Sequence, residues 1–90
     1  MDQSTTQKRV AIYAALANEE RLEIMDLIMR TEQTPSALAY VLDLAPSTIS
    51  YHLSKLAQAD LIEVRYDGRT KWVGLSATAL AIMRPPASQS

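Results

Sequence analysis

The sequence has no cysteine and no phenylalanine, and among its 90 residues only one histidine, one tryptophan and two glycines. Without cysteine, disulfides, thiolate metal sites and thiol redox sensing are all excluded. Two glycines leave no Gly-rich loop to cradle a phosphate. A lone His52 supplies neither a nucleophile–base set nor the nitrogen ligands of a zinc site, so catalysis ranks last among the function classes and no cofactor or metal is expected. No apolar run approaches the roughly eighteen residues of a membrane span. Residues 1–7 lack the charged and apolar regions of a signal peptide. A soluble, cytoplasmic protein with no membrane partner is the expectation. Charge of one sign is also missing: nine basic residues face ten acidic ones, for a net charge of −1. A strongly basic nucleic-acid binder is thereby excluded.

What is present is a hydrophobic fraction of 48%, enough for one folded domain over residues 1–90. At that size a second subunit often helps to complete the core. The charge is unevenly spread. Residues 1–44 hold four basic residues against seven acids, while residues 45–75 hold Lys55, Arg65, Arg69 and Lys71 against three acids. Within the second part lies the most informative stretch, residues 46–56. At 100° per residue Ile49, Leu53 and Leu56 form one stripe that must be buried. Ser47, Ser50, Tyr51, Ser54 and Lys55 lie opposite, with Thr48 on a flank. Solvated helix faces are usually built from Glu and Lys. Hydroxyls are mediocre helix formers, but they reach phosphates and base edges. An ordinary surface helix is the competing reading for this stretch alone.

The surrounding chain reads as helices and one hairpin, with no internal repeat or interdomain linker. A first helix is expected from about Thr6 to Ala17, with Val10, Ile12, Tyr13 and Leu16 as its apolar positions. Asn18 caps a second helix ending near Arg30, with Glu19, Glu20 and Glu23 near its start. Leu22, Ile24, Met25, Leu27, Ile28 and Met29 make this the central core helix. Thr34-Pro35 starts a short third helix to about Leu42, with Leu38, Val41 and Leu42 facing in. After the turn Asp43-Leu44-Ala45, Pro46 starts the fourth, which runs to about Ala59; the Ser47 or Thr48 hydroxyl is expected to help cap it. Two short helices joined by about three residues make a helix-turn-helix. Residues 61–66 and 70–75 are β-rich runs around Asp67-Gly68, a strong hairpin signal. A two-residue turn puts Ile62, Val64 and Tyr66 on one face with Val73, and Trp72 on the other; a longer loop would shift that register and leaves Trp72's facing open. Ser76 caps a last helix through Leu80, Ile82 and Met83, stopped by Pro85-Pro86. Residues 1–5 and 84–90 are expected to be flexible. The fold class is mostly α with a two-stranded β wing, a winged helix-turn-helix.

At residue level the chain resembles the ArsR/SmtB family of small repressors. Residues 16–24 look like the family's LA-x-x-x-R-L-x-I opening, and residues 47–56 are similar to its S-T-V-S-x-H-L-x-x-L. Ala59-Asp60-Leu61-Ile62 and Asp67-Gly68-Arg69 resemble the entry to the wing and its tip. The resemblance covers roughly residues 11–75. It implies a homodimeric transcriptional repressor whose fourth helix enters the major groove of double-stranded DNA. Groove-facing candidates are then Ser47, Thr48, Ser50, Tyr51, Ser54 and Lys55, and wing candidates are Arg65, Arg69 and Lys71. The first and last helices, through Val10, Ile12, Tyr13, Leu16, Leu80, Ile82 and Met83, are the expected dimer interface. The chain departs from the family where metal is sensed: it has no Cys, and residues 76–83 contain no His, Asp or Glu. Any effector is expected to be a small organic molecule or a protein.

His52 is read as a scaffold residue at the core edge, bonding backbone or a hydroxyl, rather than as a metal ligand or pH switch; the alternative is a role in holding the recognition helix near DNA. Trp72 is read as half-buried wing packing, with a ligand or subunit contact as the alternative, and Arg69 as a phosphate contact, with a solvated turn residue as the alternative. The leading function is operator binding that excludes polymerase. The alternative is a winged-helix protein-interaction module, kept in view by the near-neutral charge.

Overall fold

Helix α2 (Glu19–Arg30) touches α1 (Gln3–Leu16), α3 (Pro35–Leu42), α4 (Pro46–Gln58) and β2 (Thr70–Leu75). Strand β1 (Ile62–Asp67) and helix α5 (Ala77–Met83) complete the order α1-α2-α3-α4-β1-β2-α5, a winged helix-turn-helix. The structure, a computed structural model, describes residues 3–83. Of the ends expected to be flexible, residues 1–2 and 84–90, with the Pro85-Pro86 stop, lie outside the described residues. Residues 3–5 instead continue α1, because no Pro or Gly interrupts the helix there.

Each helix start has a local cause. Asn18 has extended backbone, and its Oδ1 accepts the Arg21 N–H at 3.0 Å. Thr34 Oγ1 accepts the Ala37 N–H at 3.1 Å, ahead of Pro35 in the first turn of α3. Helix α4 starts without a side-chain cap at Ala45, against the expectation that a hydroxyl of its first turn would serve, and relies on the preset φ of Pro46. Asp43, in the left-handed region at φ 55°, ends α3 and turns the chain into α4.

Burial is narrower than the sequence suggests. In α2 only Ile24, Met25 and Ile28 are buried; Leu22 and Met29 remain 47% and 48% exposed. In α3 Leu38 is buried and Leu42 half-buried, but Val41 is exposed. An eight-residue helix packs one i, i+4 row, and Val41 lies off it. Helix α4 behaves as expected, with Ile49, Leu53 and Leu56 in the core. Each such side chain contributes about 1.5–3 kcal/mol by burial.

The exit from α4 runs through Asp60, at φ 58°. The buried Ser76 hydroxyl donates to the Asp60 carbonyl at 2.6 Å and accepts the Ala79 N–H at 3.0 Å. It is thus the expected cap of α5 and also ties that helix to the end of α4. Strands β1 and β2 are antiparallel, with Val64 opposite Val73 and Arg65 opposite Trp72. The two-residue turn is Gly68-Arg69, one position later than the Asp67-Gly68 signal, because Asp67 pairs with Thr70. Gly68, at φ 61°, takes the first turn position, where a type II′ hairpin needs positive φ. The face assignment survives the shift: Trp72 lies opposite the face of Ile62, Val64 and Tyr66. A bridge between Gln33 and Val73 adds a short third edge to the sheet.

Candidate nucleic-acid interface

With its apolar stripe in the core, α4 turns Ser47, Ser50, Tyr51, Ser54 and Lys55 outward, and Thr48 is half-buried at the flank. Tyr51 is 56% exposed. The ammonium of Lys55 lies 5.5 Å from the centre of its ring, a cation–π contact one helical turn apart. The wing stands beside this helix. A cleft of about 200 Å³ is lined by Ser50, Ser54, Leu53, Ala57 and Pro35 on one side and Ile62, Val64 and Lys71 on the other. The structure therefore brings Lys71 together with Ser50 and Ser54. Arg69 stands apart at the exposed hairpin tip. Lys55, Arg69 and Lys71 have no carboxylate partner among the described residues.

Arg65 is placed differently from the other wing cations. It lies on the Trp72 face, and its guanidinium donates to Glu32 through Nη2 at 2.7 Å and Nε at 3.2 Å. The same group sits 5.8 Å from the centre of the Trp72 ring, which is half-buried. The hydrogen bond from Arg65 holds the Glu32 carboxyl below the usual carboxylate range, and Glu32 in turn raises Arg65. A carboxyl with a lowered folded value stabilises the fold above its ordinary range and ceases to do so as pH falls through the lowered value. The pair is therefore intact at neutral pH.

His52 is 4% exposed, as befits the core edge, but its partners are not the backbone or hydroxyl expected. Nε2 lies 2.6 Å from Glu20 Oε1, and Nδ1 lies 3.2 Å from Arg21 Nη1. Arg21 also donates from Nε to the Ala15 carbonyl at 2.6 Å. The network joins the end of α1, the start of α2 and the middle of α4. Nothing local in the sequence marks Glu20 and Arg21 as partners of His52. Among the described residues no group of three or more His, Asp or Glu is placed to hold a metal ion.

The expected dimer residues divide in two. Ile12, Leu16 and Met83 pack against the chain's own core, whereas Val10, Tyr13, Leu80 and Ile82 are exposed. No helix among the described residues is long and apolar enough to cross a membrane.

A family model described as a helix-turn-helix domain matches residues 16–65. The nodulation protein NolR of Rhizobium meliloti is 37% identical over 67 residues, covering 74% of this chain and 55% of NolR. The chain thus spans little more than half the length of that relative. The transcriptional activator HlyU of Vibrio cholerae is 31% identical over 81 residues, covering 90% of this chain and 75% of HlyU. A solved structure of HlyU superimposes with a TM-score of 0.80, covering 91% of this chain and 89% of that one. A Mycobacterium bovis protein described as a homodimeric winged helix-turn-helix DNA-binding domain gives a TM-score of 0.82 at 26% identity, covering 89% of this chain and 74% of that one. By sequence, element order and superposition, the chain belongs to the ArsR/SmtB-type family of winged helix-turn-helix regulators.

Proposed function

We propose that the protein is a sequence-specific DNA-binding regulator that acts as a homodimer and represses by occupying its operator. The observation that carries this is the outer face of α4. Ser47, Ser50, Tyr51, Ser54 and Lys55 are exposed, and Lys71 lies across a shared cleft from Ser50 and Ser54. In this reading α4 lies in the major groove, where hydroxyls and Tyr51 meet base edges and Lys55 meets phosphate. Arg69 and Lys71 meet the flanking backbone. Exposed Val10, Tyr13, Leu80 and Ile82 support a dimer built by α1 and α5, with half-sites about one helical turn (~34 Å) apart. The relative HlyU is named an activator; repression is proposed for this chain because a dimer that covers its operator excludes polymerase. Selection of bound sequences from random DNA tests the reading. A pseudo-palindromic consensus is the expected result, and enrichment of no sequence would refute it.

A net charge of −1 favours one second reading, a protein-interaction module using the same helix. The two separate on salt: counterion release makes DNA affinity fall steeply with ionic strength, whereas docking to an uncharged protein surface does not.

A further inference from the structure

The ion pair between Glu32 and Arg65 spans the full width of the sheet. Arg65 is on β1, Glu32 precedes the bridge residue Gln33, and β2 lies between them. The two side chains meet because β2 has Gly74 at that place. A Cβ there would stand 3.2 Å from Glu32 Cγ and 3.5 Å from its Oε2, so the glycine leaves the space in which the carboxylate lies. The backbone beside Glu32 is fastened as well, since Gln33 and Val73 exchange N–H···O bonds of 3.0 and 2.8 Å. The guanidinium also lies 5.8 Å from the centre of the Trp72 ring.

A two-stranded hairpin by itself is marginally stable in water, so its position depends on what it is fastened to. The α4-facing side of this hairpin packs Ile62 and Val73 into the core at its base and borders an open cleft beside them, and the opposite side carries the Glu32–Arg65–Trp72 cluster. Arg65 therefore has its Nε and Nη2 donors on Glu32, and it points away from the face that carries Lys71.

We propose that Glu32 is a positioning residue for the wing: through Arg65 it sets how the hairpin stands beside α4. Arg65 is thereby committed within the protein, and Arg69 and Lys71 are the wing cations offered to DNA. The inference rests on the DNA-binding reading for its consequence, but not for its geometry. An exposed ion pair contributes little to overall stability, so it biases the hairpin's placement by at most a few-fold and does not hold the fold together.

The test uses the full chain with Glu32→Gln, Arg65→Ala, both together, and the charge exchange Glu32→Arg with Arg65→Glu. Two readouts need no DNA: emission of Trp72, the only tryptophan, and amide exchange at Gln33 and Val73. Each single substitution should shift the emission and speed that exchange by about two- to fivefold, the scale of one exposed pair. Acidification below the usual glutamate range should shift the emission of wild type, and this step should be missing from Glu32→Gln. Operator affinity should fall by a similar factor in each single variant, fall no further in the double, and recover within about twofold on charge exchange. The salt slope of Arg65→Ala should match wild type. A slope lower by about one unit, or tighter DNA binding by Glu32→Gln, would make Arg65 a phosphate contact that Glu32 holds back, and would overturn the proposal. Unchanged emission and exchange in both single variants would overturn it too. If wild type bound no DNA, the functional reading would fall while emission and exchange still decided the brace.

Discussion

His52 on the outward-turning helix and Glu20 at the start of α2 are 2.6 Å apart, and through that contact α4 is anchored to the centre of the fold. Arg21 has only donors to offer, so Nδ1 of His52 accepts and, in the neutral ring, Nε2 carries the proton toward Glu20. That tautomer satisfies both nitrogens. Replacing His52 with Ala leaves Arg21 without one of its acceptors in a part-buried site, a loss of about 1–3 kcal/mol. Urea unfolding should show the loss, and a midpoint unchanged from wild type would mean that the network carries no stability.

The outer face of α4 should behave in the opposite way. Ser50→Ala with Tyr51→Ala removes largely exposed groups, of which the Tyr51 ring meets Lys55 and the edge of His52, so stability should fall by no more than about 1 kcal/mol. Binding to the selected operator should weaken by about 1–3 kcal/mol for each base edge that the variant no longer reads. Wild-type affinity in the double variant would place the base-reading surface elsewhere.

At the hairpin tip, Arg69→Ala should weaken specific and non-specific DNA alike and lower the salt slope by about one unit, as when one phosphate is no longer neutralised. Titrations at several salt concentrations measure this directly. An effect confined to one base position would instead show Arg69 reading sequence in the minor groove.

Residues with local causes were the readable ones. The α4 stripe follows from helical spacing, whereas Trp72's facing depends on the loop length, which the structure shows to be two residues. Leu22, Met29 and Val41 misled because apolar residues need not be inside: the interior is mostly apolar, but much of the surface is too. The Glu32–Arg65 pair is separated by 33 positions and exists only where β2 runs between them. Its one local trace is Gly74, since a glycine inside a strand often marks a close approach. His52's partners were hidden for a related reason: Glu20 and Arg21 reach it from 32 and 31 positions away.

Assembly can be tested on residues that the core does not use. Leu80 and Ile82 are exposed on α5, so Leu80→Glu with Ile82→Glu should leave the monomer folded while placing charge in a symmetric interface. Sedimentation at micromolar concentration should show a dimer for wild type and a monomer for the variant. A wild-type monomer would refute the α1/α5 dimer.

Regulation by metal is where this chain should part from much of its family. A tetrahedral zinc site takes about four ligands, usually with His or Cys among them. This chain has no cysteine and a single histidine, and both ring nitrogens of His52 already have protein partners. Coordination there would break the contact to Glu20 or Arg21 and unfasten α4. The carboxylates Glu19, Glu20 and Glu23 crowd one helix start, but without nitrogen donors they suit only weak binding of hard cations. Zinc, copper, nickel and cadmium should each leave operator affinity within about threefold of the metal-free value, the scatter expected where no site of adequate ligands exists. Peroxide at levels that spare methionine should also leave affinity unchanged, since there is no thiol to oxidise. A sub-micromolar metal effect that disappears in His52→Gln would turn this structural histidine into the sensor.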